Sequence, residues 1–166
     1  RPTQQQFKFQ FMTTSTLGNI SEQTAYRAMA LICCAHFFSH FYMLILPTLL
    51  PIMTQVYDVG FTELGFAITA YSFATGIVQA PVGFLIDKFG ARRFLIVALF
   101  GTAAAFTGIG LSDSYAALVV LMVFAGLANS VFHPADYSIL NASVPEHVIG
   151  RAFSLHSFFA QLGNAA

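Results

Sequence analysis

Long apolar stretches alternate with short polar segments along most of this chain. The stretches cover about residues 27–50, 61–84, 94–111 and 115–140, and a fifth begins near residue 152 and continues to residue 166. Each of the first four has the length needed to cross a hydrocarbon core about 30 Å thick, which takes roughly 20 residues. Strands of a membrane β-barrel would be about half as long and would alternate polar with apolar residues. The pattern therefore predicts an all-α membrane protein, a multispanning helical bundle.

The first 26 residues differ from the rest of the chain, because they are rich in Gln, Thr and Ser. We expect residues 1–26 to form a polar tail outside the membrane and residues 27–166 to form the transmembrane domain. Because the chain begins with Arg1 and ends inside an apolar stretch, we interpret it as a fragment of a longer polypeptide. One alternative is that this fragment is inactive alone.

Composition agrees with a lipid environment and excludes one class of partner. Hydrophobic residues make up 57% of the chain and charged residues 8%, whereas soluble globular proteins contain about 25% charged residues. Because the formal net charge is zero, the chain lacks the basic surface that nucleic-acid binding requires. We therefore expect the lipid bilayer, and no nucleic acid, as its surroundings.

The seven lysine and arginine residues predict the orientation of the bundle. Alternating loops place all of them on one side of the membrane: Arg1, Lys8, Arg27, Lys88, Arg92, Arg93 and Arg151. Because Lys and Arg concentrate in cytoplasmic loops, we expect a cytoplasmic amino terminus. The expected location is the bacterial inner (plasma) membrane.

The segment GFLIDKFGARR, residues 83–93, is a charged island between the second and third stretches. We expect Gly90 to permit a sharp turn and Gly83 to let a neighbouring helix approach closely. Asp87 could meet the positive amino end of another helix, which would make a conformational gate. The residues of this predicted gating motif are Gly83, Asp87, Lys88, Gly90, Arg92 and Arg93.

This island resembles the loop motif between the second and third helices of the major facilitator superfamily. PEHVIGRA, residues 145–152, is similar to that family's fourth loop. The resemblance implies the first five or so helices of a twelve-helix fold, and a carboxyl-terminal half of the same chain as partner. Many members have an arginine four residues before a glycine of the fourth helix, where this chain has Met122 ahead of Gly126.

Polar side chains inside the predicted spans are the candidates for a solute or proton pathway, because ionisable groups at membrane depth are costly and usually functional. His36 and His40 are four residues apart and share a helix face. The remaining candidates come from three other spans and are Tyr71, Asn129, His133, Asp136 and Gln161. The fifth span also carries His156.

Several interpretations of these side chains remain open. The His36–His40 pair has the spacing of a metal-binding pair, but no carboxylate or cysteine completes such a site, so we expect no metal and no cofactor. The polar groups could instead serve as hydrogen-bonded contacts between helices. His133 with Asp136 is the best candidate for a proton relay, while an alternative places Asp136 at a solvated helix end.

The predicted function is secondary active transport of a small solute by alternating access, with protons as a candidate coupling ion. One alternative is efflux of drugs or other amphipathic compounds, since AHFFSHF followed by LPTLLP resembles the fosmidomycin-resistance type of exporter. Another is an intramembrane enzyme that uses His and Asp. Because no motif such as HExxH or GxSxG is present, we expect a protein that is not an enzyme.

Overall fold

A computed structural model of the protein describes residues 22–166, which form helices and no strand within that range. The helices are α1 (Glu22–Tyr57), α2 (Phe61–Phe89), α3 (Ala91–Gly110), α4 (Tyr115–Asn129), α5 (Phe132–Ser143) and α6 (Glu146–Ala165). The predicted all-α class is therefore confirmed. Most of the predicted polar tail lies outside the described residues, and its last five residues, 22–26, belong to α1 instead.

Among residues 22–166, four segments are long and apolar enough to cross a membrane: α1, α2, α3 and the combined segment Tyr115–Ser143. Helix α1 has 36 residues, which is about 54 Å at 1.5 Å per residue. It therefore exceeds a hydrocarbon core of about 30 Å. The predicted end of this helix near residue 50 was wrong, because the chain stays helical through Pro47 and Pro51.

The predicted span over residues 115–140 corresponds to one apolar segment, but its helix is interrupted at Ser130 and Val131. A proline inside a helix cannot donate a backbone hydrogen bond, and its ring clashes with the carbonyl four residues earlier. Pro134 stands four residues after Ser130, so the interruption has an identifiable cause. Beyond it, the Ala135 N–H donates to the Val131 carbonyl at 3.0 Å and α5 continues.

Two glycines allow close packing between helix pairs. A Cβ on Gly126 of α4 would collide with the Tyr71 carbonyl oxygen of α2, and a Cβ on Gly163 of α6 would collide with the Phe37 carbonyl oxygen of α1. Small residues let membrane helices approach backbone to backbone. The close crossings of α4 with α2 and of α6 with α1 therefore require a residue without a side chain at Gly126 and at Gly163.

Two apolar cores occupy the two ends of the described bundle. One includes Ile86 and Ala91 near the turn between α2 and α3. The other includes Tyr57 and Leu64 near the loop between α1 and α2. His36, Ser39 and His40 of α1 lie between these two cores along the helix, and the first two are buried in the interior of the bundle.

The crossing of α2 and α4 can be tested with Gly126→Ala. Because the added methyl group meets a backbone carbonyl, we expect a loss of about 1–3 kcal/mol of stability, seen as a lower midpoint of thermal unfolding for the full-length protein in detergent. Gly65→Ala on α2 is the matched control, since a Cβ there meets nothing within 4 Å. Equal midpoints for both variants would contradict the close crossing.

Candidate functional site

A buried carboxylate lies at the junction of three helices. Asp136 of α5 is 0% exposed, and its Oδ2 lies 2.9 Å from Nδ1 of His36 on α1 and 3.2 Å from Nε2 of His156 on α6. Both imidazoles are 2% exposed. If Asp136 is ionised it can only accept hydrogen bonds, so both histidine nitrogens donate to it. The structure therefore does not place Asp136 at a solvated helix end.

Four of the chain's five histidines gather around this carboxylate. The His36 ring stacks on that of His156 with centroids 3.6 Å apart. Its centroid lies 4.7 Å from that of His40 and 5.0 Å from that of His133. We call the set His36, His40, His133, Asp136 and His156 the histidine cluster.

A second oriented imidazole stands at the edge of the cluster. His40 Nδ1 lies 3.1 Å from Oδ1 of Asn164, and an amide oxygen can only accept. His40 therefore carries its proton on Nδ1. The Asn164 amide in turn donates from Nδ2 to Gln161 Oε1 at 3.4 Å. The predicted candidate Gln161 is therefore linked to His40 only through Asn164, and it is exposed.

The charge of an ionised Asp136 is not balanced by a basic lysine or arginine side chain among the described residues. Within residues 22–166, Asp136 forms no ion pair with a lysine or arginine. Its second oxygen, Oδ1, is buried and has no hydrogen-bond partner among those residues. An isolated buried carboxylate is costly, so the negative charge has to be offset by a proton on the cluster or by another cation.

An open groove gives access to one side of the cluster. It has a volume of about 450 Å³, and its lining residues are Gly76, Gln79, Ala80, Gly83, His133, Pro134 and Tyr137. Helices α2 and α5 form its walls. His133 thus connects the buried histidines to a cavity large enough for several water molecules or part of a solute.

Two predicted candidates lie apart from the hydrogen bonds of the cluster. Tyr71 belongs to the apolar core near the α1–α2 loop. Its hydroxyl is buried, as is Oδ1 of Asn129, and neither atom has a hydrogen-bond partner within residues 22–166. Conversely, the candidate set omitted His156 and Asn164, whose roles arise from contacts with residues far away in the chain.

The predicted gating motif lies on the surface between α2 and α3. Gly90 has a φ of +93°, in the left-handed region that favours glycine, and its N–H donates to the Ile86 carbonyl at 2.8 Å. A Cβ on Gly83 would lie 3.9 Å from Cβ of Pro134, so an alanine would fit there. The charged residues of the motif are exposed: Asp87, Lys88, Arg92 and Arg93.

The reason for expecting no metal site does not hold, because α5 supplies the carboxylate that the sequence of α1 lacks. Two groups in the cluster have ligand atoms within 4.8 Å of one another: His36 with His40 and His133, and His36 with Asp136 and His156. Imidazole and carboxylate are ordinary ligands of transition metal ions.

A bundle of membrane-spanning helices with ionisable groups in its interior is typical of a membrane transporter. The chain belongs to the Major Facilitator Superfamily, whose family model matches residues 32–166. This match confirms the resemblance that the loop motif indicated. No solved structure matches the chain significantly.

Three bacterial proteins illustrate the similarity. An uncharacterised MFS-type transporter of Bacillus subtilis is 32% identical over 78% of this chain and 33% of its own length. The tetracenomycin C resistance and export protein of Streptomyces glaucescens is 28% identical, over 70% of this chain and 22% of its own length. The fosmidomycin resistance protein of Escherichia coli is 20% identical, over 68% of this chain and 28% of its own length. The chain thus covers a third or less of each relative.

The groove can be tested by thiol labelling of the full-length protein. With Cys33 and Cys34 replaced by serine, we expect His133→Cys to react with a membrane-impermeant maleimide, because His133 lines the groove. Leu118→Cys is the matched control, since Leu118 is fully buried. Equal, slow labelling at both positions would show that water does not reach His133.

Proposed function

We propose that this chain forms part of a secondary active transporter that moves a small solute by alternating access, with protons as the coupling ion. The observation that carries this proposal is the carboxylate of Asp136, fully buried between His36 and His156. Transporters of this kind bind substrate and coupling ion near the midplane, between parts that move against each other. The remaining part of the site would come from a carboxyl-terminal half of the same polypeptide.

The geometry supports proton coupling for a specific reason. Asp136 contacts side chains from α1 and α6 while it belongs to α5. Any movement between these helices changes the distance from the carboxylate to its imidazole donors, and therefore its proton affinity. Histidine is the side chain whose unperturbed change of charge lies nearest neutral pH, which makes the cluster the candidate proton site of the proposal.

Membrane orientation is part of the proposal. We infer a cytoplasmic amino terminus and the inner membrane of a bacterium from the side on which the cations lie. The described cations Lys88, Arg92 and Arg93 are exposed at the turn between α2 and α3. That turn would then face the cytoplasm, and the loop between α1 and α2 would face the opposite side.

Export of amphipathic compounds is the second candidate function. The groove has apolar walls from Ala80 and Pro134 and polar groups from Gln79, His133 and Tyr137, a combination typical of small-molecule sites. Two relatives carry names that refer to resistance against tetracenomycin C and fosmidomycin. These two compounds are therefore the first probes to use.

The role of Asp136 can be tested in inverted membrane vesicles that contain the full-length protein and hold a proton gradient. We expect fosmidomycin or tetracenomycin C to release protons in the wild type, followed with a pH-sensitive dye. Because Asp136→Asn cannot ionise, it should lower this response about tenfold or more. Asp113→Asn, an exposed acid between α3 and α4, is the matched control. A wild-type response in Asp136→Asn would contradict the proton-coupling role.

The gating motif makes a separate prediction. Asp87 is exposed and forms no ion pair within the described residues 22–166, which leaves it free to contact a helix of the other half. We expect Asp87→Asn to lower the transport rate in the same vesicles while the affinity for the compound stays unchanged. Asp58→Asn, in the loop between α1 and α2, should change neither. A normal rate in Asp87→Asn would contradict the gate.

A further inference from the structure

We propose that His36, His40 and His133 form a binding site for a divalent transition metal ion of the zinc class. The three histidines come from α1 and α5, and their ring nitrogens lie within 4.8 Å of one another. The site goes beyond solute transport and does not depend on it.

The spacing of the three rings suits a single ion. With a metal–nitrogen distance of about 2.0–2.1 Å and a near-tetrahedral angle, ring centroids on one zinc ion lie roughly 5 Å apart. The observed centroid distances are 4.7 Å for His36–His40, 5.0 Å for His36–His133 and 6.0 Å for His40–His133. Small rotations of His40 and His133, both half-buried, would close the third distance.

Two of the three ligands already have the outer hydrogen bonds of metal-binding histidines. Such histidines usually donate the proton of one ring nitrogen to a carboxylate or carbonyl group, which leaves the other nitrogen for the metal. His36 donates from Nδ1 to Asp136 and His40 donates from Nδ1 to Asn164. Both therefore present Nε2 with a lone pair.

The third ligand, His133, lies where an ion could enter from the groove and where a fourth coordination position would be open. His133 forms no hydrogen bond within residues 22–166, and it lines the groove of about 450 Å³. An ion could enter from this groove, and a water molecule could take the fourth coordination position there. Three protein ligands with one open position are common in zinc sites that exchange a ligand.

Charge favours an ion at this place. With neutral imidazoles, the cluster would carry the uncompensated negative charge of Asp136, whose Oδ1 also has no partner among the described residues. A divalent cation on Nε2 of His36 would offset that charge through the ring.

The alternative group of His36, Asp136 and His156 suits an ion less well. Oδ2 of Asp136 already accepts hydrogen bonds from His36 and His156. A metal ion there would have to replace both protons, and all three side chains are buried away from the groove. The group built on His40 and His133 keeps these hydrogen bonds intact.

The test is a titration of the purified full-length protein with Co²⁺, whose visible absorption reports imidazole coordination. We expect one Co²⁺ to bind, to be displaced by Zn²⁺, and to be unaffected by excess Mg²⁺, which prefers oxygen ligands. His40→Gln and His133→Gln should each weaken binding more than the roughly 10–100-fold expected for loss of an outer partner. His147→Gln is the matched control, because His147 is exposed and outside the cluster.

Two further variants separate this site from its rivals. Asn164→Ala should weaken Co²⁺ binding about tenfold and Asn164→Asp should restore it, because the acceptor for His40 returns. His156→Gln should change the affinity for Co²⁺ by no more than about tenfold relative to the wild type, because His156 would contact the metal site only indirectly. No Co²⁺ binding by the wild type, or loss in His156→Gln with retention in His133→Gln, would overturn the proposal. Since no gradient or solute is used, either result leaves the transport proposal unaffected.

Discussion

The burial of one carboxylate determines how the interior of this bundle is arranged. An ionisable group with no exposure needs partners, because an unpaired charge in an apolar medium is costly. Asp136 finds them on α1 and α6, so three helices have to meet at one point. Replacing only one member of such a group leaves a buried polar group without its partner, which destabilises more than replacing the whole group. Packing and chemistry are therefore linked at the same residues.

Much of the fold could be predicted because the membrane restricts the choice of structures. Backbone groups in lipid must be satisfied internally, so apolar stretches of this length become helices. The described part of the chain contains four such segments. Helix boundaries were less predictable. Pro47, Pro51 and Pro81 lie inside helices, whereas Pro134 follows an interruption. The residue type is the same, so the difference depends on packing around each proline, which local sequence does not reveal.

The candidate site was predictable only where its residues are neighbours along one helix. A spacing of four places His36 and His40 on the same face, and the two rings indeed lie close together. The partner of His36 is 100 residues away and that of His40 is 124 residues away. No periodicity encodes such contacts. His133 and Asp136 are close in sequence, yet Asp136 hydrogen-bonds to His36 and His156 instead.

His36 belongs to both proposed sites, because it hydrogen-bonds to Asp136 and its ring also lies beside those of His40 and His133. Nδ1 donates to Asp136, so Nε2 is the nitrogen that remains for a metal ion. A proton and a metal ion on Nε2 exclude each other, since a ligating imidazole must be neutral. By linkage, an ion that binds there lowers the affinity of the cluster for a proton, and protonation lowers the affinity of the cluster for the ion by the same factor. A single imidazole would thus link metal binding at the three histidines to the charge on Asp136.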